Sequence, residues 1–197
     1  MNQDTLGGQW TMAIPIGGPV PNGKNTADRI RGFQKRRSVE FTLEFPVSAS
    51  ELWNLISRAG NLNDCHPFCR TNDAISWESE SHQDRLVYLN GRTYVRQFLT
   101  WDKDIGYELI IGEENGPESY VVWEMKELGD KKSTLTITVY PYLLANMSKI
   151  TSYLPFMLYI RPKLKSYLKS VLNGFHYFIE TGEAVPRNHW GKHSWFS

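Results

Sequence analysis

The sequence predicts an α+β fold: a curved antiparallel sheet of about seven strands closed around one long C-terminal helix, with two short helices after the first strand. From Pro162 to Thr181 the apolar residues fall at Leu164, Tyr167, Leu168, Val171, Leu172, Phe175, Phe178 and Ile179, one continuous helical stripe. Lys163, Lys165, Lys169 and Asn173 lie on the other side. A helix with one apolar face must bury it. Nearly everything between Ser76 and Tyr140 reads as strand, which supplies a sheet to receive it.

Each element follows from a local signal. Residues 1–37 carry Gly-Gly pairs and three prolines with little periodicity, and read as an extended arm without its own core. Trp10, Met12, Ile14 and Ile16 could lie along the body. Val39 to Phe45 alternates apolar and polar residues strictly, as a half-buried strand does, and Pro46 stops it. Ser48-Ala49-Ser50-Glu51 is a capping-box pattern, so a helix starts at Ser48 or Ser50 and buries Leu52, Trp53, Leu55 and Ile56 until Gly60. Asn61 to His66 forms a second short helix or turn before Pro67. Strands are expected at 70–78, 84–90, 93–102, 106–113, 118–127 and 132–140, all joined by short turns and therefore antiparallel. Asn90-Gly91 signals a two-residue hairpin loop. Ser148 to Ile160 reads as an irregular helical lead-in broken by Pro155, and Pro162 either kinks the helix or occupies its first turn. Gly182 ends the helix, leaving an aromatic tail, 183–197, with Trp190, Trp195 and Phe196 too apolar to stay solvated.

Composition narrows the function classes. Lys and Arg number 22 against 21 Asp and Glu, a net of +1, so no basic excess points to nucleic acid. Lys35-Arg36-Arg37 reads as a solvated lead-in to the first strand. Aromatic residues make up 13% of the chain, as suits cores and pocket walls. Cys65, His66 and Cys69 are three soft ligands in one loop. A zinc site needs a fourth, and nothing places His189 and His193 nearby, so neither a metal nor another cofactor is expected. No signal segment or membrane span stands out, and a cytoplasmic, reducing setting is the default expectation. No P-loop, dinucleotide-binding glycine pattern, Ser/His/Asp order or paired-carboxylate site is visible.

The strand at 39–45 running into Pro46-Val47-Ser48-Ala49-Ser50-Glu51-Leu52-Trp53, then Leu62 to Pro67, resembles the START / Bet v 1-like (SRPBCC) superfamily, of the polyketide cyclase and lipid-transport kind. The resemblance spans residues 37–182, so the domain is taken as 38–182 with the arm and tail outside it. It implies a helix-grip fold. It leaves the activity open, because members of that superfamily range from lipid carriers to cyclases and hormone receptors.

A curved sheet cannot close tightly on one helix, and the space left over is a pocket. Its expected lining is Trp77, Tyr88, Trp123, Met125, Tyr140 and Tyr153, with Tyr167, Val171 and Phe175 from the helix. For each of these, plain core packing is the competing reading. Val121, Trp123 and Met125 share one strand face, so Trp123 is expected to be buried toward the helix. Arg96 joins the pocket if Tyr94 and Phe98 face inward, and then needs a carboxylate or an anionic ligand group. The opposite register, with Val95, Gln97, Leu99 and Trp101 inside, leaves Arg96 in water and is the one the sequence favours. His66 is a candidate general acid or base, with a capping or packing role as the plainer reading.

Three functions compete. The first is binding of a hydrophobic small molecule such as a lipid, polyketide or aromatic metabolite. The second is a cyclase- or dehydratase-type enzyme acting on such a ligand. The third is an interaction protein with a filled core that docks Leu154 to Ile160 on a partner or, transiently, on a membrane. Oligomeric state is not legible.

Overall fold

A computed structural model describes residues 23–77 and 81–197. Trp10, Met12, Ile14 and Ile16 lie outside the described residues. The element order is α1 (Gly23–Gln34), β1 (Val39–Phe45), α2 (Ala49–Ile56), α3 (Leu62–Cys65), β2 (Cys69–Ser76), β3 (Gln83–Tyr88), β4 (Thr93–Asp102), β5 (Gly106–Gly112), β6 (Glu118–Gly129), β7 (Lys132–Tyr140), α4 (Tyr153–Pro155), a π-helical turn (Phe156–Ile160) and α5 (Arg161–Thr181). The seven strands form one antiparallel sheet in the order β1-β7-β6-β5-β4-β3-β2. β1 at one edge pairs with β7, distant in the chain, from Val39↔Val139 to Phe45↔Ser133, and β2 is the other edge. The sheet is curved and α5 lies in its concavity.

Local chemistry explains the elements. Ser48 caps α2: its hydroxyl accepts from Glu51 N while Glu51 accepts from Ser48 N, the reciprocal pair that satisfies two orphan helix donors. Buried Asn61 donates to Leu55 O and Ile56 O and so closes the other end of α2. Asn63 exchanges two hydrogen bonds with the backbone of Asn72 and ties α3 to β2. Gly174 is where α5 crosses α3: a Cβ there would sit 2.0 Å from Cys65 O, so only glycine permits this approach. Gly182 ends α5 in the left-handed conformation, φ 72°, donating to Phe178 O.

Three expectations are corrected. The hairpin after β3 is not a two-residue loop. Gly91 N donates to Tyr88 O and Tyr88 N to Arg92 O, so Leu89, Asn90 and Gly91 form a three-residue turn with Gly91 at φ +87°. Pro155 does not break the lead-in. The chain stays helical through it, and Arg161 N reaches back to Phe156 O in the wider π register. This widening leads directly into Pro162, which sits in the first turn of α5, where no donor is needed. The third difference is α1, which the sequence reading lacks. With Ile30 and Phe33 as its only large apolar residues, GKNTADRIRGFQ shows too little of a stripe to be read as amphipathic. Phe33 nevertheless stacks on Tyr120 on the convex face, rings 5.8 Å apart, beside Ile110.

The basic run before β1 is only partly solvated. Arg29 pairs with Glu118, and Arg36 lies over the Phe33 ring and donates to Glu118 O. Arg37 donates to Lys149 O at 2.6 Å.

The tail returns to the body rather than trailing away. Val185 N donates to Asp64 O, Asn188 N to Pro67 O, and Arg187 to His66 O. Val185, His193 and Phe196 are buried, while Trp190 stays largely exposed. Deleting residues 186–197 should therefore cost about 2–3 kcal/mol, the worth of burying one large apolar side chain. Urea melts of the two chains check this; coincident melts would show that the tail adds nothing.

Candidate functional site

Between the concave face of the sheet and α5 is a cavity of about 340 Å³. Its wall is mainly apolar, built from Leu86, Leu109, Val121 and Ile137 of the sheet and Leu168 and Val171 of the helix. Each strand residue belongs to the inward-facing alternate set, and Leu168 and Val171 are one turn apart on the buried stripe. Arg92 and Tyr159 are the exposed residues of the lining, and with half-buried Tyr142, Leu143 and Trp195 they mark the mouth. The mouth therefore lies beside the Phe156–Ile160 turn and the turn that precedes Arg92. The loop after Gly116 contributes nothing before Ser119.

Half of the expected lining is brought together here: Tyr88, Arg96, Trp123, Tyr167 and Val171. The other five lie elsewhere. Trp77, just past β2, donates its indole N–H to Ser57 O and packs on Phe98 and Trp101, outside the cavity lining. Met125 faces inward two residues beyond Trp123, where the core is filled. Phe175, fully buried, meets the Trp123 ring edge-on at 5.5 Å and is likewise solid core. Tyr140 is on the convex face beside Tyr120, because β7 turns Leu135, Ile137 and Val139 inward and period two sends residue 140 outward. Tyr153 is 48% exposed, its ring under the Arg37 guanidinium.

Arg96 corrects the favoured register. Tyr94, Arg96 and Phe98 are the buried set of β4, and Arg96 is 3% exposed. The charge is tolerated because Asp84, directly opposite on β3 and wholly buried, accepts from both Nε (2.7 Å) and Nη2. Burial alone would lower the guanidinium pKa, but the Asp84 charge and hydrogen bonds outweigh it and hold it above its ordinary value. A bulge between Phe98 and Thr100 then shifts the alternation, so Trp101 also packs against Phe98, at 5.0 Å. Both readings of the strand were thus partly visible in its sequence.

The polar end of the cavity is a chain of hydrogen bonds. Phe68 N donates to His66 Nδ1 at 3.1 Å, so Nε2 carries the ring proton and donates to Tyr167 Oη at 2.9 Å. The Tyr167 and Tyr88 hydroxyls share the next hydrogen bond, 3.0 Å long. Burial, with Arg96 and Arg187 nearby, pushes His66 down to about 3, so the ring is neutral. Burial raises the Tyr88 and Tyr167 hydroxyls above their ordinary values, so both keep their protons. The group is a set of oriented neutral donors, and the lone pair of His66 is already occupied.

The sequence reading missed the tail's part in the wall. Phe196 stacks on Tyr88 at 4.4 Å and lies 4.5 Å from the Tyr167 ring. Asn90 anchors Trp195 through its carbonyl, and Lys163 holds Ser194. No periodicity in 183–197 could have indicated this. Cys65 and Cys69 are free and buried, their thiols pushed up to about 12 by burial. Among the described residues no group of three or more His, Cys, Asp or Glu side chains could hold a metal ion, and no helix is long and apolar enough to cross a membrane.

No family model matches the chain, and no curated protein sequence does. Solved structures do. DynU16, a protein of the dynemicin biosynthetic locus, aligns with a TM-score of 0.56 at 14% identity over 75% of this chain and 48% of its own. The di-domain ARO/CYC BexL from the BE-7585A biosynthetic pathway aligns at 0.57 and 11% over 73% of this chain and 46% of its own. A START superfamily protein from Mycobacterium smegmatis aligns at 0.53 and 13% over 73% of this chain and 97% of its own. The chain has the START-like helix-grip fold. It spans about half the length of DynU16 and BexL. In this helix-grip chain the aligned share is roughly three quarters.

Proposed function

We propose that this helix-grip protein binds a hydrophobic small molecule, such as a lipid, polyketide or aromatic metabolite, in the cavity between sheet and α5. One observation carries the reading: a largely apolar cavity of about 340 Å³ whose buried polar groups His66, Tyr88, Tyr167 and Arg96 each already have a hydrogen-bond partner in the protein. Tyr88, Trp123, Tyr167 and Val171 would contact the ligand. Arg96, neutralised by Asp84, would shape the polar end rather than attract an anion. One hydroxyl proton of the Tyr88–Tyr167 pair is left over from their mutual hydrogen bond, and it suits a carbonyl or hydroxyl oxygen on an otherwise apolar ligand. The binding domain would be residues 38–182, with the tail completing its wall.

The test is titration with an environment-sensitive hydrophobic dye. Wild type should bind at micromolar strength, with little change between about 0.1 and 0.5 M salt, because burial rather than charge drives it. Val171→Trp should fill the cavity and abolish binding, with circular dichroism unchanged and an overpacking cost of about 1–3 kcal/mol. A wild type that binds no such probe, or a variant that binds equally, would overturn the reading. Strong salt dependence would point to an anionic ligand held by Arg96 instead.

A second reading, a cyclase- or dehydratase-type enzyme, draws on the His66–Tyr167–Tyr88 chain reaching the cavity and on the likeness to BexL. Against it, His66 offers no free lone pair for proton abstraction. The interaction-protein reading required a filled core, and the cavity speaks against that.

A further inference from the structure

The strongest feature outside the cavity is the helical lead-in to α5. Of the nine large hydrophobic residues exposed among the described residues, six lie between Met147 and Tyr159. Ile150 is 91% exposed, Leu154 62% and Leu158 75%. They stand four residues apart, so they form one row along the outer side of the lead-in, while Phe156 and Ile160 turn inward and are buried. Monomeric proteins rarely leave a contiguous aliphatic row in water without a use for it.

The charge around this row is mainly positive: Glu118, paired with Arg29, is the acidic residue in the groove that Met147 and Lys149 share with Arg29, Lys35, Arg36 and Arg37. No Asp or Glu occurs between Asp130 and Glu180. Lys149 adjoins Ile150 and Arg161 follows the π turn. Arg37, anchored on Lys149 O, lies 5.0 Å over the exposed Tyr153 ring, and Lys163 lies 5.8 Å from the Tyr159 ring. Aliphatic tips flanked by aromatic rings and an excess of cations match the layers of a bilayer with anionic headgroups: apolar groups enter the acyl boundary, rings sit at headgroup level and cations meet phosphate. A partner protein of ordinary mixed charge would not call for this cationic excess.

We propose that this lead-in is a docking surface for an anionic lipid bilayer. It places the cavity mouth at the membrane, because Tyr159 and Ile160 belong to both the lead-in and the cavity wall. Docking itself does not depend on what fills the cavity, so it is tested separately.

The full chain is sedimented with vesicles of phosphatidylcholine alone and with vesicles in which roughly a third of the lipid is phosphatidylglycerol. Partition onto the anionic vesicles should be at least ~10-fold stronger than onto neutral ones and should fall with added salt. The double variant Leu154→Glu/Leu158→Glu should lose ~10-fold or more of that partition with an unchanged melting temperature, since neither side chain is buried. Lys149→Ser/Arg161→Ser should weaken binding to anionic vesicles alone. Absence of wild-type binding to either vesicle, or equal binding by the Leu variants, overturns the proposal. A wild-type dimer in sedimentation velocity that Leu154→Glu/Leu158→Glu dissociates overturns it in favour of a second copy of this chain.

Discussion

Replacing Arg96 by Met lowers the stability of this protein by about 3–5 kcal/mol, the cost of leaving one partner of a buried ion pair uncompensated. The expectation rests on Asp84, which is fully buried on β3 and receives two hydrogen bonds from Arg96 across the sheet. Once the guanidinium is gone, the carboxylate has no water to turn to. The double variant Arg96→Met/Asp84→Leu should recover most of the loss, because an apolar pair of similar volume removes the desolvation penalty along with the attraction. Urea melts of wild type, the single variant and the double variant at neutral pH measure both. A single variant as stable as wild type would mean that the pair is hydrated and contributes little. Equal losses in the single and double variants would mean that the pair is itself a net source of stability.

Trp123→Ala is expected to cost about 3 kcal/mol, at the low end of the range for removing a large buried aromatic ring. The ring is 6% exposed, stacked on Tyr107 at 5.2 Å and edge-on to Phe175 at 5.5 Å, which makes it core on two sides. On the third side it faces the cavity, so part of the space opened by the truncation adds to a void that already exists. The same substitution should enlarge the cavity and alter dye binding, an effect that a ring packed only in the core would not produce. Wild-type stability and wild-type dye binding together would show that Trp123 faces the other side of β6.

Much of the architecture was legible because it depends on local periodicity. The alternation in β1, the capping box at Ser48 and the 3.6-residue stripe of α5 each state which side of an element is apolar, and burial followed. The candidate site was half legible. Tyr88, Trp123, Tyr167 and Val171 were reachable from face parity and stripe position. Tyr140 was misplaced although the alternation of Leu135, Ile137 and Val139 already sent it outward. Arg96 could not be assigned from β4 alone, since its inward placement depends on Asp84 standing opposite in register.

The sequence by itself determined the element order, the antiparallel sheet, the long gripped helix and the presence of an apolar interior. Short-range patterns suffice for those, because each pattern acts through residues a few positions apart. Only the tertiary structure decided which inward residues pack solidly and which face open space, how His66, Tyr167 and Tyr88 align into one hydrogen-bonded row, and that Phe196 closes the wall from 108 residues beyond Tyr88 in the chain. Those features depend on the curvature of the sheet and on contacts between distant segments, and no local pattern encodes either.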